Sequence, residues 1–146
     1  MKIMFICTGN TCRSAMAEAI LRKKVQERNI DVEVCSAGIY AENGDEPTDV
    51  AIEVMENKGI DMKGHKATNI KNSKIVEMDL ILCATNSQKL QVMTLYPELK
   101  EKIYTIKEYA YGENGDIQDP WGNSLRVYGN CAKELEESID KIIEKL

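Results

Sequence analysis

Ile3-Met4-Phe5-Ile6-Cys7-Thr8-Gly9-Asn10-Thr11-Cys12-Arg13-Ser14-Ala15-Met16-Ala17-Glu18-Ala19-Ile20-Leu21 is the stretch whose reading decides the fold. It begins as a short apolar run and ends in residues that favour a helix, with a polar loop holding Gly9 and Asn10 between them. A strand therefore runs into a tight loop, and the loop runs into a helix N-terminus. That turn aims unpaired backbone N–H groups and the positive end of the helix dipole at one point. Successive inward N–H groups make an anion nest. Cys7 opens this one and Arg13 closes it.

Each part of the loop has a chemical use. The N–H cluster and Arg13 both favour the thiolate form of a cysteine at position 7. The planar fork of Arg13 can grip two oxygens of a tetrahedral oxyanion, which a lysine cannot do. Gly9 is expected to take positive φ and to let the anion come close, and Asn10 also tolerates the left-handed region. The Ser14 hydroxyl is placed to hydrogen-bond the Cys7 sulfur and help it leave. Thr8, Gly9, Asn10, Thr11, Cys12, Arg13 and Ser14 together form a candidate phosphate-binding loop for a sulfur nucleophile. Two plainer readings stand beside this one: a partial metal site at Cys-x4-Cys, or an ordinary buried thiol at a strand end. Zinc normally takes four ligands, two of them from a second knuckle. Here Cys35, Cys83 and Cys131 stand singly and His65 is the one histidine, so no metal is expected.

Outward from the loop, strand and helix patterns alternate. Met16, Ala17, Ile20, Leu21 and Val25 share a helical face opposite Arg22, Lys23, Gln26 and Glu27. Val32 to Cys35 alternates as a second strand ending in Ser36-Ala37-Gly38. The segment from Ile39 to Pro47, with Asn43-Gly44, reads as a surface loop. Thr48 caps a helix carrying Val50, Ala51, Val54 and Met55, which Gly59 stops. Residues 60–72 read as irregular, and a short helix is expected over Ser73–Met78. The unbroken apolar run Leu80-Ile81-Leu82-Cys83-Ala84 is what a strand buried on both faces looks like. Ser87 is the expected cap of a helix through Leu90, Val92, Met93 and Leu95, which Pro97 ends. Ile103–Ile106 reads as the fourth strand and Lys107–Asn123 as a long loop. An amphipathic helix with Leu125, Tyr128, Ala132, Leu135, Ile139, Ile142 and Leu146 at helical spacing closes the chain. Such alternation predicts a parallel sheet with right-handed crossovers and helices on both faces. Ligands bind such sheets outside the strand carboxyl ends, where the Cys7 loop sits.

Asp119 is the second candidate. It lies in a loop longer than a compact domain usually leaves without structure or purpose. Phosphoryl transfer to sulfur needs a proton donor for the leaving group and later a base for water, and one carboxyl can serve both steps. Asp-Pro is also an ordinary turn initiator, and that reading stands beside the acid.

Composition bounds the rest. The chain's 146 residues suit one compact domain with a proper core. A net charge of −5 without a basic run argues against a nucleic-acid surface. No apolar stretch reaches the length of a membrane span, and nothing reads as a signal peptide. Five cysteines without a framework of spacings suit a reducing cytoplasm.

Cys7-Thr8-Gly9-Asn10-Thr11-Cys12-Arg13-Ser14, together with Ser36-Ala37-Gly38, His65-Lys66-Ala67 and Asp119-Pro120-Trp121, resembles the low-molecular-weight protein tyrosine phosphatase family over nearly the whole chain. With the alternating pattern, this resemblance implies one three-layer α/β domain over residues 1–146. Its sheet would be four-stranded and parallel, in order 2-1-3-4, with helices on both faces. It implies Cys7 as nucleophile, Arg13 as phosphoryl clamp and Asp119 as general acid. It also implies a support layer in which Asn10, Ser14, Ser36 and His65 hold the loop from behind, and a Cys7–Cys12 disulfide that protects the nucleophile from over-oxidation. Cys12 as a small buried residue is the other possibility. No cofactor is implied. Phosphorylated proteins are the expected substrates and phosphate the product, acted on by a cytoplasmic monomer without nucleic acid or membrane.

Thr11 and Trp121 are the expected substrate wall. Thr11 stands where tyrosine-directed members commonly carry a larger aliphatic residue. Asp119-Pro120-Trp121-Gly122-Asn123-Ser124 lacks the second aromatic those members often have. Both features resemble the bacterial protein arginine phosphatase branch, so phosphoarginine is favoured over phosphotyrosine. That branch often has Phe where this chain has Trp121, and Trp stacks equally well on a guanidinium or a phenol. Arsenate reductase-like oxidoreductases share the loop but relay electrons through further closely spaced cysteines. Residues 84–97 contain none. A non-catalytic phosphoprotein-binding module would not need Cys7, Arg13 and Asp119 together.

Overall fold

In the computed structural model, which describes residues 1–146, four parallel strands form one sheet in the order β2-β1-β3-β4. Strand β1 is Lys2–Cys7, β2 Glu33–Gly38, β3 Leu80–Cys83 and β4 Ile103–Thr105. The helices are α1 Arg13–Glu27, α2 Asp49–Asn57, α3 Asn86–Leu95, α4 Ile106–Tyr111 and α5 Leu125–Ile143. The register pairs Cys7 with Gly38, Ile6 with Cys83 and Cys83 with Thr105. The carboxyl ends of all four strands therefore open on one edge, and the Cys7 loop crosses it.

Alternation along β1 divides the core. Ile3, Phe5 and Cys7 face the larger layer, in which α1, α2, α4 and α5 pack on Leu80 and Leu82. Met4 and Ile6 face the smaller one, closed by Val92 of α3 with Ile70, Ile75 and Leu99 from three 3₁₀ turns. The three-layer arrangement has one thick face and one thin. On the thin face α3 buries only Gln88 and Val92, and Leu90 and Leu95 stay exposed.

Local signals account for most boundaries. The Thr48 side chain accepts from Ala51 N, and Gly59 takes φ +74° just past α2. Four expectations shift. The short helix over 73–78 is a 3₁₀ turn, Ile75–Glu77. Helix α3 is capped by Thr85 rather than Ser87, in a capping box with Gln88. Strand β4 stops at Thr105, whose own capping box with Glu108 starts α4. The loop expected from Lys107 thus loses its first part to a helix ending at Gly112, which sits at φ +79°. Thr-x-x-Glu was legible at Thr105, but the β-prone run before it masked the helix start.

Candidate active site

Cys7 ends β1 fully buried, at 1% exposure. Three groups surround its sulfur: Asn10 N at 3.3 Å, Ser14 N at 3.5 Å and Ser14 Oγ at 2.9 Å. Ser14 Oγ already accepts from Asn10 Nδ2 at 2.7 Å, which leaves its own hydrogen for the sulfur. The two N–H groups and that hydroxyl stabilise negative charge on sulfur by hydrogen bonding the charged form.

Asn10 holds the loop's shape. It takes φ +57°, whereas Gly9, expected to carry the positive φ, does not. A Cβ on Gly9 would meet only Thr11 Oγ1, at 3.6 Å, so neither dihedral nor backbone crowding inside the chain demands glycine there. Left-handed backbone at a non-glycine residue costs on the order of 1–3 kcal/mol. All the polar groups of buried Asn10 are engaged in return. Its Nδ2 donates to Ser14 Oγ and to Ser36 Oγ (2.9 Å), and its Oδ1 accepts from Thr68 N (3.0 Å). Its carbonyl accepts from His65 Nε2 at 2.8 Å, which fixes the proton on that ring nitrogen. Asn10, Ser14, Ser36 and His65 thus meet in one network. Glu18 completes it, accepting from Ser36 Oγ at 2.5 Å and pairing with Arg22 at 2.7 Å. Sequence reasoning passed over Glu18; its signal was an acid flanked by the apolar positions of α1.

Close packing explains Gly38. A Cβ there would lie 2.6 Å from Thr8 O and 2.9 Å from Asn10 N, both backbone atoms that cannot move without the loop. Two further ties brace the loop: Gln88 Nε2 donates to Thr8 Oγ1 at 3.0 Å, and Thr48 N donates to Thr11 O at 3.1 Å. Gln88 was also missed, although Thr85-x-x-Gln88 is legible as a capping box.

Arg13 is 5% exposed. Its Nη1 donates to Ile117 O at 3.0 Å, and Nη2 lies 3.7 Å from Asp119 Oδ2. Its Nε is buried with no hydrogen-bond partner. A buried unsatisfied donor costs about 1–3 kcal/mol, more when charged. The cost is recovered when an oxyanion accepts from it, so Arg13 suits a phosphoryl oxygen better than it suits its own fold. Ile117 anchors the acid loop: it is fully buried, and its N–H donates to Ala84 O at 2.8 Å. Asp119, two residues on and half exposed, accepts from Trp121 N at 3.1 Å and lies 3.8 Å from Cys12 Sγ. The structure therefore brings Asp119 to the rim of the Cys7 loop. Trp121 beside it is 67% exposed, and Thr11 is half-buried.

The remaining thiols are protonated. Burial first, then the neighbouring Cys7, pushes the Cys12 thiol up to about 12. Burial likewise raises Cys35 to about 11 and Cys131 to about 12, and raises Cys83 further still. All five cysteines are free, and no three His, Cys, Asp or Glu side chains converge as metal ligands.

The family profile described as low molecular weight phosphotyrosine protein phosphatase matches residues 2–146. A protein-arginine-phosphatase of Geobacillus stearothermophilus is 40% identical over 145 residues, spanning 99% of this chain and 95% of that one. Among solved structures, a low molecular weight protein tyrosine phosphatase from T. tengcongensis is 43% identical. It superposes with a TM-score of 0.96 over 100% of this chain and 99% of that one. The YwlE arginine phosphatase, solved as a cysteine-to-serine variant with its active-site serine phosphorylated, is 34% identical. Its TM-score is 0.96 over 100% of this chain and 95% of that one. With the profile and these relatives matched end to end, the chain belongs to the low molecular weight phosphotyrosine protein phosphatase family.

Proposed function

We propose that this protein is a phosphoprotein phosphatase that works through a cysteinyl-phosphate and takes phosphoarginine as its preferred substrate. The observation that carries the chemistry is the pairing of a hydrogen-bonded Cys7 sulfur with the buried, unpartnered Nε of Arg13 in one anion nest. In the first step the Cys7 thiolate attacks phosphorus, forming a P–S bond as the P–N bond to the arginine side chain breaks. The electron pair of that bond leaves on nitrogen, which takes the proton of Asp119. In the second step Asp119 accepts a proton from water, water attacks phosphorus, and the P–S pair returns to Cys7, with Ser14 donating to the departing sulfur. Arg13 Nε and the loop N–H groups hold the phosphoryl oxygens throughout, the largest contribution expected in such a transfer. The nitrogen leaving group is favoured by the arginine-phosphatase relative, by Thr11 at the loop and by the single aromatic of the acid loop.

The T. tengcongensis relative favours the second reading, phosphotyrosine, which needs the same two steps with oxygen as the leaving atom. Rates on a phosphoarginine protein and a phosphotyrosine peptide, taken side by side, decide between them. A higher kcat/KM on phosphoarginine is expected, and a preference for phosphotyrosine overturns the assignment. Cys12 is proposed as a reversible trap for Cys7. Hydrogen peroxide is the oxidant required: it transfers one oxygen to the Cys7 thiolate and leaves as water, giving a neutral sulfenic acid and removing one of the causes that raise the Cys12 thiol. The Cys12 sulfur then forms the S–S bond as the Cys7 S–O bond breaks, its proton leaving with the hydroxyl as water.

A further inference from the structure

Beside the loop lies a groove of about 850 Å³ that the proposed chemistry does not use. Ile39, Tyr40, Ile70, Leu90 and Leu95 supply its apolar lining. Tyr40, Leu90 and Leu95 are 72%, 54% and 49% exposed, among the most exposed large apolar side chains of the chain. On α3 the positions Ser87, Leu90/Gln91 and Thr94/Leu95 follow helical spacing, so they form one stripe, and that stripe lines the groove. The stripe is not a fold requirement, because α3 packs on the sheet through Val92 and Gln88 instead.

The groove is continuous with the catalytic loop at one end. Ile39 N donates to Cys7 O at 3.0 Å and Tyr40 N to Thr8 O at 2.9 Å, so one wall is bonded to the loop backbone. Asp116 closes the same end, holding Asn86 N at 2.8 Å, and it immediately precedes Ile117, whose carbonyl holds Arg13. From Ser87 at this end to Leu95 the stripe runs about 12 Å at the helical rise. That length fits three or four residues of extended chain at about 3.3 Å each.

We infer that this groove seats the polypeptide of the substrate on one side of its phosphorylated residue, with an apolar side chain against Leu90 and Leu95. The inference rests on the phosphoprotein phosphatase reading above and extends it from a phosphoryl site to a peptide site. An apolar anchor beside a charged, solvated phosphoryl group separates protein substrates from free phosphorylated metabolites, which reach the loop but not the groove.

The test replaces two exposed side chains of α3, as Leu90→Glu and Leu95→Glu in one variant. On a phosphorylated peptide with leucine or phenylalanine two to four residues from the phosphorylated position, kcat/KM is expected to fall at least about tenfold, the scale of one lost apolar anchor. On para-nitrophenyl phosphate, and on the same peptide with those apolar residues changed to serine, it should stay within about twofold. The variant combined with Cys7→Ser should also bind the apolar peptide more weakly than Cys7→Ser alone, which reads the groove without turnover. Equal rates and equal binding on the apolar peptide, or an equal fall on para-nitrophenyl phosphate, overturn the groove. A parent protein that leaves para-nitrophenyl phosphate intact overturns the phosphatase reading instead, and the binding comparison still reports on the groove.

Discussion

Asp119 and Thr11 carry two separate parts of the proposed function, the proton transfer and the choice of substrate. Asp119 lies beside Arg13 at 3.7 Å and is oriented by the Trp121 N–H, so its carboxyl is placed to give a proton and take one back. Asp119→Ala should slow the chemical step by roughly 10²–10⁴, a typical general-acid contribution. The loss should shrink as the leaving group becomes more acidic, because such a group departs without a proton. Single-turnover rates across a series of aryl phosphates read this, and a uniform loss would remove Asp119 from the role. Thr11 is held through its backbone by Thr48 N at 3.1 Å, and its side chain is the proposed substrate wall. Thr11→Ile adds apolar bulk and removes a hydroxyl, and sites that use a hydroxyl discriminate more strongly than sites that sense one methylene. The ratio of phosphoarginine to phosphotyrosine activity should therefore fall by at least about tenfold. An unmoved ratio makes Thr11 a passive loop residue.

Separate elements brace the loop: β2 through Gly38, α3 through Gln88, α2 through Thr48 and the acid loop through Ile117. Gly38→Ala tests that convergence, since the new methyl would press on Thr8 O and Asn10 N of the loop backbone and on the Ala41 methyl. Tm should drop by several degrees, the shift expected for about 1–3 kcal/mol in a domain of this size. Activity should fall further than stability, because the atoms displaced carry the nest. A variant that keeps both the parent Tm and parent kcat/KM would show that the loop tolerates a shift. The elements themselves were legible where one signal dominated: the apolar run of β3, the Thr48 cap and the periodicity of α5. Helix α4 was not, because Ile103–Ile106 has strand composition and only Glu108 reports the turn into helix. In the site, Cys7, Arg13 and Asp119 showed through spacing and residue type. Gln88 and Glu18 did not, because their importance lies in which distant residue they meet.

Across the whole molecule, five free thiols share one small fold, and at Cys7 two backbone N–H groups and the Ser14 hydroxyl converge on the sulfur. Burial raises Cys12, Cys35 and Cys131 to about 12, 11 and 12 from an ordinary value of 9.0. A thiol near 12 is ionised to only about one part in ten thousand at pH 8. Alkylation needs the thiolate, so brief iodoacetamide treatment at pH 8 should modify Cys7 at least about a hundredfold faster than Cys12 or Cys131. The same shifts set how stability depends on pH. A folded-state value above the unfolded one means the folded chain binds these protons more tightly. The contribution is complete below pH 9 and is lost as pH rises toward 11 and 12. Urea midpoints should accordingly decline above pH 9, and Cys35→Ala should make that decline shallower even though it also removes the thiol's contacts with Ile3 O and Met78 Sδ and so lowers the midpoint at every pH. Phosphate tests whether the selectivity belongs to the nest. It should slow Cys7 labelling by occupying the Arg13 clamp and leave Cys35, away from the loop, unchanged. Mass spectrometry that finds Cys12 or Cys131 labelled as fast as Cys7, or phosphate slowing every site alike, would assign the reactivity to general exposure instead of to the loop.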